Sequence, residues 1–247
     1  MEAISLNANG LRAALRKGLD AWLEVEHPDL VFLQEVKWND EGAVRAAFPG
    51  WHSYSSLATK PGYSGVLTLS RVALEPATAP ELPSGLVAEG RYLALRREGV
   101  TWLNLYLPSG SQGPDRQDLK MEALERLAEW MAAQTAPVVL GGDWNLAPEA
   151  RDVHDPKRLD GQPGFTPVER AWFAAQQASG WQDAFRMKHP NAVEVYSWWS
   201  MRSAARERNK GWRIDHWVTN APERVLEASY DALARFSDHA PMRLRWS

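Results

Sequence analysis

Ala3-Ile4-Ser5-Leu6-Asn7-Ala8-Asn9-Gly10 and, one helix later, Leu30-Val31-Phe32-Leu33-Gln34-Glu35 are the stretches that decide the fold. Ala3–Leu6 is a short apolar run before a polar turn and reads as a strand. Between the two runs, Leu11, Leu15, Leu19, Trp22 and Leu23 fall on one face at helical spacing. His27-Pro28-Asp29 stops that helix, because a residue preceding proline is pushed out of the helical region. Leu30–Leu33 then reads as a buried strand ending at Gln34-Glu35. Strand, helix, strand in so short a span is the rhythm of an α/β unit.

The same rhythm continues outward. Gly65–Ser70, Arg91–Arg96 and Val100–Leu107 read as strands, the last two joined at Glu98-Gly99 as in a hairpin. The Pro-rich Glu75–Pro83 is a loop or an edge connection. Asp115–Ala133 has Leu124, Leu127 and Met131 at helical spacing, and Pro137–Leu140 is a buried strand leading into Gly141-Gly142-Asp143-Trp144-Asn145. The paired glycines there suit either a turn or a close approach of backbone to substrate. Thr166–Ala178 opens with Thr166 as N-cap, Pro167 at the first helical position and Glu169 at the capping-box position. Ile214–Thr219 and Met242–Trp246 are the closing strands. No repeat or low-complexity linker interrupts the series, so one domain over residues 1–247 is expected.

Composition narrows the function. The 247 residues are 45% hydrophobic and 24% charged with a net charge of −3, which excludes a disordered chain. The absence of cysteine excludes a disulfide framework, a thiolate nucleophile and cysteine-ligated zinc or iron–sulfur sites. Met1–Gly10 has neither a basic start nor a long apolar run, and no stretch approaches the roughly 18 apolar residues of a membrane span. A cytoplasmic protein with no membrane partner is the expectation, and without coiled-coil heptads a monomer is the default.

Four carboxylates fall at strand ends or in the turns beside them: Glu35, Asp143, Asp215 in Arg213-Ile214-Asp215-His216, and Asp238 in Ser237-Asp238-His239. Ligand sites of α/β folds gather at strand ends, so these residues can converge. Taken singly, each is a cap or a surface charge; taken together, with Asn7, Asn145 and His239 beside them, they form a hard, oxygen-rich donor set suited to Mg²⁺ or Mn²⁺. His239 is a candidate charge partner for phosphate, with Asp215 available to orient its ring.

Six motifs in order carry a family resemblance. They are Asn7-Ala8-Asn9-Gly10-Leu11-Arg12-Ala13, Leu33-Gln34-Glu35, Tyr106-Leu107-Pro108, Gly142-Asp143-Trp144-Asn145, Gly211-Trp212-Arg213-Ile214-Asp215 and Ser237-Asp238-His239. Together they resemble the exonuclease III branch of the endonuclease/exonuclease/phosphatase superfamily, from Ile4 to nearly the C-terminus. The resemblance implies a four-layer α/β sandwich, two mixed β-sheets packed face to face with flanking helices. It implies Mg²⁺- or Mn²⁺-dependent hydrolysis of phosphodiesters in double-stranded DNA: cleavage 5′ to abasic sites, removal of 3′ blocking groups, and some 3′→5′ exonuclease action. Carried over by motif, Glu35 is the principal metal ligand, with Asn7 and Asp238 near or on the metal. Asp143 orients or deprotonates the attacking water and Asn145 supports it, unless a second metal binds, in which case both are ligands. Tyr106 sits beside the scissile phosphate, and His239 binds a phosphate oxygen while Asp215 holds its imidazole.

Local features also point to DNA. From Arg186 to Arg213 there are seven basic residues (Arg186, Lys188, Arg202, Arg206, Arg208, Lys210, Arg213) against Glu194 and Glu207, a local charge of +5 in a protein of −3. Trp198, Trp199 and Trp212 are interleaved with them. Trp199 reads as core, whereas the family resemblance implies that Trp198, Trp212 and Ile214 wall a pocket for a sugar lacking its base. Arg12, Arg202 and Arg213 are the expected phosphate contacts, Arg12 with Arg16 equally readable as surface charge. Two departures from the family pattern stand out: Ser109 where an amide side chain is usual, and Met201 where an aromatic is common. They leave a nuclease without abasic preference as the main rival. A phosphatase or lipid phosphodiesterase on the same metal core, and a catalytically dead DNA-binding module, are the other two.

Overall fold

The computed structural model describes residues 1–247. Its strands are β1 (Glu2–Asn7), β2 (Leu30–Gln34), β3 (His52–Ser56), β4 (Val66–Ser70), β5 (Glu75–Pro76), β6 (Tyr92–Arg97), β7 (Val100–Tyr106), β8 (Val138–Asp143), β9 (Gln182–Asp183), β10 (Trp198–Trp199), β11 (Gly211–Trp212), β12 (Asp215–Thr219), β13 (Val225–Tyr230) and β14 (Met242–Trp246). One six-stranded sheet runs β13-β14-β1-β2-β4-β3 and the other β5-β6-β7-β8-β12-β9, with β10 and β11 as a separate ribbon. Each large sheet is mixed: β1 and β2 are parallel, β7 and β8 are parallel, and their other pairings are antiparallel.

The helices are α1 (Leu11–Arg16), α2 (Leu19–Glu26), α3 (Glu41–Ala46), α4 (Pro114–Ala132), α5 (Pro156–Leu159), α6 (Pro167–Ala178) and α7 (Ala184–Lys188). The single helix expected over Leu11–Leu23 is two, because Gly18 takes a left-handed conformation (φ 87°) between them. The apolar face survives the break: Leu11, Ala14, Leu19 and Leu23 all pack into one cluster with the outer face of β1 and β2. The capping box at Thr166 and Glu169 forms as expected.

Period-two alternation divides the strands between three cores. Ala3, Leu30, Phe32, Trp102, Val139, Trp217, Leu244 and Trp246 meet between the sheets. Their neighbours Ile4, Leu6, Val31 and Leu33 face α1 and α2, while Leu103, Leu105, Val138 and Leu140 face α4 and α6. Both faces of these strands are covered, which is why they read as continuous apolar runs. The paired glycines lie inside β8 rather than in a turn, and no substrate is needed to account for them. A Cβ on Gly141 would collide with the Trp217 indole, and one on Gly142 with the Leu105 carbonyl.

The inward phase that places Ala3, Phe32, Trp102, Val139 and Trp217 between the sheets continues to Asn7, Gln34, Tyr106, Asp143 and Asp215. One polar rung comes first: Gln34 Nε2 donates to Asn104 Oδ1 across the sheets at 2.7 Å. Beyond it the interior turns fully polar. No helix is long and apolar enough to cross a membrane.

Candidate active site

Register alone assembles the floor. Tyr106 of β7 pairs with Asp143 of β8, which pairs with Asp215 of β12, so the three form one row across the second sheet. Asn7 at the end of β1 faces that row from the first sheet. Its Nδ2 donates to Asp143 Oδ2 at 2.8 Å and to Glu35 Oε1 at 2.9 Å. Asn7 Oδ1 accepts the Asn9 N–H at 2.9 Å, which fixes the orientation of the amide and leaves its second lone pair free. Asn7 is the link that holds two carboxylates side by side.

Glu35 follows β2 in a left-handed conformation (φ 48°), and Lys37 (φ 51°) and Asn145 (φ 49°) share it. Side-chain-bearing residues occupy that region only where surrounding bonds over-determine it. Here the backbone of Glu35 and Val36 is bonded to Gly10 and Leu11 on one side, and that of Val36 and Lys37 to Gly65 and Ser64 on the other. Lys37 Nζ lies 2.6 Å from Glu35 Oε2. Burial opposes charge on Glu35, but Lys37 and the Asn7 amide outweigh it and hold the carboxyl below its ordinary range.

His239 Nδ1 lies 2.9 Å from Asp215 Oδ2, and its Nε2 lies 3.9 Å from Asp143 Oδ2. Ser197 Oγ donates to Asp215 Oδ2 at 2.6 Å and fixes that carboxylate in turn. Burial would strip the imidazole of its proton; Asp215 outweighs burial, Asp143 and Asp238 add to it, and the pKa rises to about 10. Burial and then Asp215 push the Asp143 carboxyl upward. Burial, followed by the Glu35 charge, raises the Tyr106 phenol well above its ordinary value, so it stays a donor. Asp238 Oδ1 accepts from Asn9 and Ser237, and Oδ2 from Trp198 Nε1 at 3.0 Å.

Ligand atoms of Asp143, Asp215 and His239 lie within 4.8 Å of one another, an acidic–histidine group of the kind that can hold a metal. Glu35 and Asp238 are further oxygen donors lining the same cleft. The donor set fits a divalent cation. Glu35, Asp143, Asp215 and Asp238 gather with Lys37 and His239 in a partly buried cluster of hard oxygen donors.

The cleft above this floor has a volume of about 610 Å³ and is lined by Glu35, Tyr106, Asp143, Asn145, Asp238 and His239. Trp198, Trp212, Ile214 and Leu159 form its apolar wall, backed by Phe165 and Val153. Trp199 belongs to a separate buried cluster with Tyr196. Ser109 lines the cleft with its hydroxyl 3.0 Å from that of Ser111. Met201 does not: it is 82% exposed, so the wall is built without it. Arg12 and Arg202 are exposed and lie outside the lining, Arg12 over the Trp38 ring at 5.7 Å.

Arg213 is not a DNA contact. It is fully buried, donating to Asp152 at 2.7 and 3.1 Å and to Asp183 at 2.6 Å. Arg186 joins the same group on Asp152. Arg206 also turns inward, donating to the carbonyls of Ser237, Ala232 and Ala234. The basic run is thus in part an internal brace, leaving Lys188, Arg202, Arg208 and Lys210 exposed.

Several groups escape the sequence reading. Lys37 was signalled only by its place two residues after Glu35. On the opposite wall, Arg91 donates to Glu89 at 2.6 Å and to the Tyr106 carbonyl at 3.0 Å. Arg116 spans Glu89 and the Tyr63 hydroxyl. Apart from the neighbours Glu89 and Arg91 these partners are distant in sequence, and no motif spacing joins them.

Residues 4–239 match the Endonuclease/Exonuclease/phosphatase family. The exodeoxyribonuclease of Bacillus subtilis (strain 168) is 37% identical over 255 residues, covering 99% of this chain and 98% of its own. The structure of an AP endonuclease from Archaeoglobus fulgidus superposes with a TM-score of 0.88 at 28% identity, over 100% of this chain and 99% of that one. The 3′ phosphatase NExo from Neisseria, bound to product DNA hairpin, gives 0.86 at 28% identity, over 100% and 99%. The chain belongs to the endonuclease/exonuclease/phosphatase family.

Proposed function

We propose that this chain is a DNA-repair nuclease that binds a divalent cation, Mg²⁺ or Mn²⁺, and hydrolyses the phosphodiester 5′ to abasic sites in duplex DNA. Removal of 3′ blocking groups and 3′→5′ exonuclease action accompany it. The observation that carries the reading is the junction of two surfaces: the Tyr106–Asp143–Asp215 row with His239 meets an apolar wall of Trp198, Trp212 and Ile214 in one cleft. Similarity to an AP endonuclease and to a 3′ phosphatase at nearly equal TM-scores supports both activities. Residues 1–247 act as one catalytic unit, working as a monomer in the cytoplasm.

Glu35 and Asp238, with Asp143 if a second ion binds, would hold the cation, which neutralises charge developing on the phosphate and leaving oxygen. Asp143 orients a water in line with the phosphorus and takes its proton, a task suited to a carboxyl whose pKa is pushed toward neutrality. Asn145, anchored by its own N–H to Asp143 Oδ1 at 2.8 Å, keeps its amide in the cleft beside that water. Tyr106 and the His239 imidazolium donate to the non-bridging oxygens, where negative charge grows in the transition state. The water oxygen bonds to phosphorus as the P–O3′ bond breaks; the departing O3′ takes a proton from solvent to become the 3′-hydroxyl, and the 5′-phosphate stays on the abasic sugar. The apolar wall accepts a flipped sugar without a base and excludes a normal nucleotide, whose unstacking costs a few kcal/mol.

The test is a labelled duplex with one abasic site beside an undamaged duplex, with Mg²⁺, Mn²⁺ or EDTA. Metal-dependent incision at the abasic site, lost in Asp143→Asn, is expected. Equal cutting of both duplexes would contradict abasic recognition, and no cutting with either metal would contradict the nuclease reading.

A further inference from the structure

Two charged side chains without any solvent exposure lie behind the cleft, Lys120 of α4 and Glu169 of α6. Lys120 Nζ donates to Glu169 Oε1 and, at 2.7 Å, to the backbone carbonyl of Asn145. Glu169 Oε2 accepts from the Gly164 N–H at 2.9 Å, the Thr166 N–H at 3.0 Å and the Thr166 hydroxyl at 2.8 Å. Burial pulls the Lys120 ammonium below its ordinary range in spite of this partner. A capping box needs none of this, since its Glu only has to reach the N-cap N–H from the surface. A buried ion pair is also an inefficient source of stability, because desolvation offsets the attraction. The pair calls for a different explanation.

Asn145 supplies it. Its backbone is left-handed, and three bonds fix it: its N–H to Asp143 Oδ1, its Nδ2 to the Leu107 carbonyl at 3.0 Å, and its carbonyl to Lys120. The first two come from the catalytic sheet; the third is the only one from the helical layer. On the far side Gly164 packs so closely that a Cβ there would lie 2.7 Å from the Asn145 carbonyl oxygen and 3.6 Å from the Trp212 ring. Glu169 holds Gly164 and Lys120 holds Asn145, so one ion pair clamps the catalytic loop and the segment beneath the apolar wall together.

We propose that Lys120 and Glu169 are positioning residues that fix the peptide of Asn145 and hold Gly164 and Trp212 in register with the reacting groups. The inference rests on Asn145 acting beside the phosphate. Lys120 touches no substrate; its effect passes through the Asn145 carbonyl. Misplacing a reacting group by about an ångström costs on the order of 100-fold in rate, so the clamp is worth a measurable part of kcat.

The experiment measures kcat and KM on abasic duplex in Mg²⁺ for Lys120→Met/Glu169→Gln, which removes both charges together, with folding checked by thermal melting. Asn145→Ala and the triple variant complete a cycle, and Lys120→Arg tests rescue. The expected result is a fall in kcat of roughly 10- to 100-fold with KM nearly unchanged. Little further loss is expected once Asn145 is already alanine, and Lys120→Arg should restore most of the rate. Unchanged kcat in the folded double variant, or a loss that adds in full to that of Asn145→Ala, would overturn the proposal. Should the double variant fail to fold, Gly164→Ala leaves the ion pair in place and presses on the same carbonyl; it must show the same non-additivity with Asn145→Ala. Full activity of Asn145→Ala would instead defeat the reading of the site, and the clamp with it.

Discussion

The strand-end cluster and the 186–213 segment are both rich in charge, and they behave in opposite ways. Asn7, Tyr106, Asp143 and Asp215 owe their meeting to β-register: the alternation that buries Phe32 and Trp217 also sends these side chains into the cleft. In the later segment, alternation and composition say nothing about destination. Arg213 and Arg202 are of one type, yet Arg213 is sealed between Asp152 and Asp183 and Arg202 is exposed. Position in a sheet fixes a side chain's fate; membership of a charged run does not.

The largest expected effects break the cluster. Asp143→Asn should lower kcat by about three orders of magnitude, within the range for loss of a general base, while DNA binding measured by anisotropy is retained. Glu35→Gln should cost roughly two orders or more, and added Mn²⁺ should recover little of it. Arg213→Leu probes the other region by stability. It leaves Asp152 and Asp183 as buried, under-paired charges, so a loss of about 3–5 kcal/mol in urea unfolding is expected. A DNA-contact role would leave the unfolding midpoint unmoved.

A pH profile sharpens the comparison further. With the His239 imidazolium as the proposed active form, activity is present below its pKa and lost above it. With Asp215 beside it that pKa is about 10. Asp215→Asn removes the largest attraction and leaves burial opposed only by Asp143 and Asp238, so the alkaline limb should move down toward the ordinary histidine value of about 6.5. An unmoved limb would show that His239 does not work as a cation.

How much of this could be read beforehand follows from the same contrast. The inner strands, α4, the capping box of α6 and most of the cluster were legible because burial on two faces leaves apolar runs and the motifs sit at their ends. The edge strand β3 was not, since His52-Ser53-Tyr54-Ser55-Ser56 is polar and only half-buried. The break at Gly18 was hidden because both halves keep the same apolar face. Asn7 was recognised as belonging to the site, but which of its amide atoms faces the carboxylates depends on Asn9, which spacing cannot weigh. The Lys120–Glu169 clamp joins two helices 49 residues apart and had no local signature.

The smallest expected effect belongs to the exposed charges. Arg202→Ala should weaken DNA binding a few-fold, lower the slope of log K against log salt by about 0.9, and leave the melting temperature unchanged. The central claim is a division of labour, the cluster performing the chemistry and the apolar wall selecting the sugar. Single-turnover incision of abasic and undamaged duplex by wild type, Asp143→Asn and Trp212→Ala tests it most directly. The account predicts that Asp143→Asn slows both substrates by the same factor, whereas Trp212→Ala slows the abasic substrate about tenfold and barely alters the other. Equal losses on both duplexes in Trp212→Ala would contradict it.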